Sequence, residues 1–213
     1  MSYLLRLFFY GVLVRTVVLF VLGLNVRHRE RLPTRGPAIL AANHNSHLDA
    51  MAMISLLPLR LLSRVRPVAA ADYFLSNKLL AWFALDVVGI VPLNRVRADA
   101  REDVLAPIAA TLERGDILIF FPEGSRGEPE QLAEFKTGLA RIAERRPDVP
   151  VVPVFTHGLG KALPKGKWLI VPFFVDIFVG EPLRFEGDRT AYMQRFRDAM
   201  AALANEEKHS DWT

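Results

Sequence analysis

Residues 38–49 read AILAANHNSHLD: five apolar residues in succession, five polar ones from Asn43 to His47, then Leu48-Asp49 at the head of a helical pattern. An apolar run this short, with no polar alternation, predicts a strand buried on both faces at Ala38–Ala42. A helix is expected to follow from about Leu48 to Leu57. Working outward, the same unit recurs. Strands are predicted at Val65–Ala71, Val87–Leu93, Ile117–Phe121 and Val151–Phe155, with one long or two short strands in Trp168–Val179. Helices are predicted near Asn77–Leu85, over Asp99–Arg114 with Pro107 as an internal flaw, over Phe135–Arg146, and from a cap at Asp188 to about Asn205. This alternation predicts an α/β fold, a mainly parallel central sheet flanked by helices. Sites in such sheets lie beyond the carboxyl ends of strands. Three polar clusters stand there: Asn43–Asp49, Asn94-Arg95 and Pro122–Gly127.

The 213 residues suffice for one domain with a full core and a short appendage. The hydrophobic fraction of 51% is concentrated at the N-terminus, so it bears on location rather than on core size. Residues 3–24 are apolar except for Arg6, Arg15 and a few small or weakly polar side chains, a length that spans a bilayer at roughly 20 residues. The two arginines are nine residues apart and fall on opposite sides of an ideal helix. That favours two short membrane-embedded helices within one leaflet, bent near Gly11 or Arg15, over a single transmembrane anchor. Residues 1–32 are therefore expected to be a membrane-anchoring helical segment and residues 33–213 the catalytic domain. Arg27, Arg29, Arg31 and Arg35 follow the apolar run and suit an anionic membrane surface. Their position predicts the cytoplasmic face of the inner (plasma) membrane. A net charge of +4 leaves nucleic acid open, but no recognised motif accompanies it, so no nucleic-acid partner is expected. With no cysteine, disulfides, thiolate nucleophiles and cysteine-based zinc sites are excluded.

His44 and Asp49 admit two readings. A carboxylate on one imidazole nitrogen fixes the tautomer and raises basicity, leaving the other nitrogen to take a proton from a hydroxyl attacking a thioester. Ser46 and Asp49 equally fit a capping box, with Ser46 as N-cap and Asp49 at the third helical position. His28 and His47 have no comparable partner and read as structural or surface residues. A metal site from His44, His47 and Asp49 has no ligand-rich motif behind it, so none is expected. After the fourth strand, Arg126 offers a bidentate contact to phosphate and Glu123 an acceptor for a substrate hydroxyl. Arg95 is a second arginine at a strand end. Lys136 opposes the dipole of a helix start, which an anionic ligand would rationalise. No Gly-x-Ser-x-Gly elbow, Walker A loop or Gly-x-Gly-x-x-Gly fingerprint occurs, which favours catalysis without a covalent intermediate.

Four blocks in order, Asn43-His44-x-Ser46-x-x-Asp49, Gly89–Arg95, Phe121-Pro122-Glu123-Gly124-Ser125-Arg126 and Val149–Val154, resemble those of the 1-acylglycerol-3-phosphate acyltransferase (lysophospholipid acyltransferase) family over about residues 33–180. The resemblance implies that His44 is the general base and that Asp49 orients it. It implies that Arg95, Glu123, Gly124, Arg126 and Lys136 hold the phosphoglycerol acceptor. Asn43, Ser46 and Ser125, in the same blocks, complete the expected substrate-binding set. It further implies an acyl-CoA or acyl-acyl carrier protein donor with no cofactor, a hydrophobic tunnel for the chain, and an α/β domain preceded by membrane-embedded helices. The acceptor expected is 1-acylglycerol-3-phosphate, giving phosphatidic acid. Ser125 stands where the family commonly has Thr, Gly127 where it has Ser, and Thr137 where a second lysine is frequent. These departures keep open a lyso-ornithine lipid or lysophosphatidylglycerol as acceptor. A catalytically inactive lipid-binding protein is the alternative of a different class. Lys161, Lys165 and Lys167, in the loop His157–Trp168, are expected near the site mouth, against lipid head groups or an acidic carrier protein.

Overall fold

The computed structural model describes residues 2–94, 103–127, 132–163 and 169–208. Seven strands form one sheet: β1 (Leu24–Arg27), β2 (Ala38–Ala42), β3 (Val65–Ala70), β4 (Val91–Leu93), β5 (Ile117–Phe120), β6 (Val151–His157) and β7 (Val175–Val179). Their spatial order is β1-β7-β6-β2-β5-β3-β4. Every neighbouring pair is parallel except β6 and β7. The unbroken apolar runs lie at the centre, where every residue of β2 and β5 is buried, as double-sided coverage requires. Successive side chains point to opposite faces. Leu40 and Ala42 therefore join the core under the helix Leu48–Leu56, whereas Ile39 and Ala41 join the one under Ala106–Glu113, Gly138–Arg145 and Arg189–Lys208. Asp188 caps the last helix, accepting a hydrogen bond from Ala191 N–H at 2.6 Å.

The N-terminal segment is one continuous helical run over residues 2–21 rather than two separate helices. The α-turns Ser2–Phe8 pass into π-turns at Phe9–Val14 and again at Val17–Val21. π-turns close i→i+5 hydrogen bonds and rotate less per residue than α-turns. That changes the angle between Arg6 and Arg15, and both reach the domain. Arg6 is buried and donates to the carbonyls of Val65 at 2.6 Å and Val88 at 3.1 Å. Arg15 donates to the carbonyl of Leu57 at 2.8 Å. Tyr10, Val14, Val18 and Leu22 join the core shared with β2. No helix among the described residues is long and apolar enough to cross a membrane. β1 lies inside the segment set apart as residues 1–32 and pairs with β7, so that segment supplies an edge strand to the sheet.

Other expectations shift for local reasons. Val87-Val88 read as strand, but Phe83–Val88 is π-helical and the strand begins only at Val91. The change of course falls at Gly89, whose φ of 76° ends the helix in the left-handed region that favours glycine. Pro107 sits in the first turn of Ala106–Glu113 rather than inside the helix, where its missing N–H costs nothing. Upstream of β7, Leu169–Phe174 form no strand; the Val171 N–H bonds instead to the Ala162 carbonyl at 2.9 Å.

Gly89 also receives the Arg6 guanidinium; a Cβ there would stand 2.7 Å from Arg6 Cζ. Gly89→Ala is expected to destabilise the protein by about 1–3 kcal/mol through left-handed strain and the displaced guanidinium. Urea unfolding should show a lower midpoint, with a smaller loss in an Arg6→Ala background.

Candidate active site

Strands β2 and β5 lie side by side with Ala41 opposite Phe120, so the segments after them leave the sheet together. On the β2 side, His44 Nδ1 and Asp49 Oδ2 are 2.8 Å apart. Asp49 is fully buried and the His44 side chain is 22% exposed, so one member is sealed and the other reaches solvent. The same Oδ2 accepts the backbone N–H of Asn45 at 2.7 Å and of Ser46 at 2.9 Å. With Nδ1–H donating to the carboxylate, Nε2 is the nitrogen left to accept a proton. Ser46 Oγ accepts Leu48 N–H at 3.2 Å. The cap and the oriented imidazole therefore coexist: one carboxylate oxygen closes the helix start and holds the ring.

The β5 side packs onto His44. Phe121 stacks on its imidazole, with ring centroids 4.2 Å apart and planes 20° from parallel. Glu123 is buried and accepts His44 N–H at 3.3 Å, and Gly127 N–H donates to the His44 carbonyl at 2.8 Å. Burial pushes the Glu123 carboxyl up to about 7; backbone N–H bonds from His44 and Ala133 pull the other way, and the Asp49 charge adds to the rise. Gly124 is exposed with φ 73°, and a Cβ on it would lie 3.0 Å from Lys136 Nζ. The Lys136 ammonium thus rests on the Gly124 turn, while Lys136 N–H bonds to the Pro122 carbonyl at 2.9 Å. Arg126 is partly exposed and Ser125 exposed. The nearby charges of Arg126 and His44, after desolvation of the ring, hold His47 below the ordinary histidine value. The structure thus gathers His44, Asp49, Glu123, Gly124, Arg126 and Lys136 beyond the carboxyl ends of β2 and β5.

Two of the expected substrate contacts, Asn43 and Ser46, are buried and bonded to backbone. Asn43 is buried; its carbonyl oxygen accepts Thr156 N–H at 2.7 Å and its amide donates to the Thr156 carbonyl at 2.9 Å, clasping β2 to β6. Ser46 is buried and its hydroxyl donates to the Leu163 carbonyl at 3.1 Å. Both side chains are engaged with the protein's own backbone. Arg95, Lys165 and Lys167 lie outside the described residues. Lys161 lies over the Phe173 ring at 5.3 Å. Among the described residues no group of three or more His, Asp or Glu side chains could hold a metal ion. Reading the sequence missed Phe121 and Gly127 as direct neighbours of His44. Phe121 was within sight, beside Pro122 in the third block; the Gly127 contact is made by backbone and has no residue signature.

An acyltransferase family model matches residues 23–157, a stretch that contains both arms of the site. The chain belongs to the acyltransferase family. This acyltransferase chain is 31% identical over 145 residues to a chloroplastic 1-acyl-sn-glycerol-3-phosphate acyltransferase of Arabidopsis thaliana, covering 68% of this chain and 38% of that protein. It is 28% identical over 195 residues to 1-acyl-sn-glycerol-3-phosphate acyltransferase alpha of Bos taurus, covering 90% of this chain and 62% of the relative. The chain thus spans less than two thirds of these relatives' lengths. Its fold matches the crystal structure of the 1-acyl-sn-glycerophosphate acyltransferase PlsC from Thermotoga maritima, with a TM-score of 0.75 at 22% identity, over 98% of this chain and 83% of that one.

The raised Glu123 value carries a stability signature. The folded chain holds this proton more tightly than the unfolded chain, so the contribution is complete below the ordinary value of 4.5 and is lost as pH rises through about 7. Denaturant midpoints across this window should fall with pH in the wild type and fall less in Glu123→Gln.

Proposed function

We propose that this acyltransferase moves a fatty acyl chain from an acyl thioester, acyl-CoA or acyl-acyl carrier protein, to the free hydroxyl of a lysophospholipid, with 1-acylglycerol-3-phosphate as acceptor and phosphatidic acid as product. The observation that carries this reading is the 2.8 Å contact between His44 and the sealed Asp49 carboxylate, next to the cations Arg126 and Lys136. His44 Nε2 takes the hydroxyl proton as the oxygen attacks the thioester carbonyl, and Asp49 stabilises the imidazolium that forms. The tetrahedral adduct then breaks its carbon–sulfur bond, the thiolate leaves, and the proton returns from His44 to sulfur. Arg126 and Lys136 hold the acceptor phosphate by charge-assisted hydrogen bonds.

We place the protein at the cytoplasmic face of the plasma membrane. Support comes from large apolar side chains left in water: Leu4, Phe8 and Phe20 on the N-terminal helix, Leu79 and Trp82 near the fourth strand, and Leu169 and Phe174 before β7. Exposed large apolar side chains of this kind mark a surface that meets a partner or a membrane.

His44→Ala should lower kcat by about 10²–10⁴-fold while vesicle binding persists. The assay offers purified protein a panel of lyso-lipids, with acyl-CoA and acyl-acyl carrier protein tested separately. Wild-type transfer by His44→Ala would remove the base mechanism, and transfer to another lyso-lipid alone would move the acceptor. Phe8→Asp combined with Trp82→Asp should release the protein from anionic vesicles in flotation; unchanged flotation would sink the proposed membrane face.

A further inference from the structure

Three of the four groups that restrain His44 come from the segment after β5. Phe121 stacks on the ring, Glu123 Oε1 accepts the His44 N–H at 3.3 Å, and Gly127 N–H donates to the His44 carbonyl at 2.8 Å. Glu123 is only 3% exposed, which leaves its carboxylate little access to a lipid hydroxyl arriving from solvent. Its outward neighbours differ: Gly124 and Ser125 are exposed and Arg126 partly so. The turn therefore has two sides, one facing the His44 backbone and one facing solvent.

We infer that Glu123 is a positioning residue that fixes the main chain of the general base through the His44 N–H, and that it is not a contact for the acceptor. Together with Gly127 it holds the His44 backbone on both sides of its Cα, at the N–H and at the carbonyl. Asp49 sets the rotation and tautomer of the ring and holds the N–H groups of Asn45 and Ser46 that follow it; the N–H of His44 itself is held by the carboxylate after β5. The base is then anchored to the same turn that carries Arg126 and on which the Lys136 ammonium rests, so their separation is set at that turn rather than by packing between distant helices. This rests on the reading of His44 as the base.

The test compares Glu123→Ala and Glu123→Gln with the wild type. Gln keeps the oxygen that accepts the His44 N–H and removes the charge. Glu123→Ala should lower kcat by about 10²-fold, the scale of a misplacement near 1 Å, with the KM for the lyso-lipid unchanged, and Glu123→Gln should recover most of that loss. A second readout does not depend on turnover: magnetic resonance of isotopically labelled histidine, with His44 assigned by its loss in His44→Ala. The wild type should show His44 as a single Nδ1–H tautomer, Glu123→Ala a mixture, and Glu123→Gln the single form again. The His28 signal, from the far end of β1, reports whether a variant has simply unfolded. A raised KM with kcat and the His44 tautomer unchanged would make Glu123 an acceptor contact and overturn the inference. Equal failure of Gln and Ala in both readouts would also overturn it, since charge rather than the accepting oxygen would then matter. If the wild type transfers no acyl chain, the functional reading fails, while the tautomer comparison still decides the positioning role.

Discussion

The parallel pairing of β2 with β5 is the constraint from which the site follows. Ala38, Ile39, Leu40 and Ala41 stand opposite Ile117, Leu118, Ile119 and Phe120, and all are buried. A slip of one residue would turn every one of these side chains to the wrong face of the sheet, so burial on both faces locks the register. Because the strands are parallel, their polar continuations leave from the same edge. His44, two residues past β2, therefore meets Phe121, one residue past β5, and the two arms of the site come together across 77 positions of sequence. β6 on the other flank of β2 holds the same register through the Asn43 clasp on Thr156.

Around that junction the buried polar groups do double duty. A fully buried carboxylate is costly unless donors converge on it. Asp49 gathers two backbone N–H groups and the His44 ring on a single oxygen. The helix start and the orientation of the imidazole are thus one arrangement, and neither can relax without disturbing the other. Asn43 and Ser46 extend the same logic outward. Each uses its side chain to tie the loop to a backbone group of a later segment, Thr156 or Leu163, instead of presenting it to solvent.

Legibility in the sequence tracks how local the deciding contact is. Ala38–Ala42 and Ile117–Phe120 were readable almost to the residue because continuous apolarity has one structural solution in a parallel sheet. His44 and Asp49 were readable as a pair because they flank one corner. Val87-Val88 misled because β-branched residues raise strand propensity while the chain is still wound as a π-helix, a packing outcome that propensity does not contain. β1 was hidden by its neighbours: four residues between an apolar helix and a basic cluster, made a strand only by the later β7. Asn43 and Ser46 read as substrate ligands because their polarity at a strand end was visible and their backbone partners, more than a hundred residues away, were not.

The arginines of the N-terminal helix show how a feature that obscured the sequence organises the structure. Read on a regular helix, Arg6 and Arg15 point apart and make any apolar environment costly. With π-turns between and after them, both are drawn to carbonyls of the domain, at Val65, Val88 and Leu57. Those carbonyls gain charged donors, and the charges leave the outer surface of the helix. What remains outward at Leu4, Phe8 and Phe20 is apolar. The run ends at Gly23, where a Cβ would stand 2.9 Å from the Phe174 ring, next to the start of β7. β7 opens opposite the end of β6, the strand whose Thr156 is clasped by Asn43. The apolar face proposed to meet lipid is therefore joined through two packed strands to the loop that carries His44, with the helix's own charges supplying the attachment.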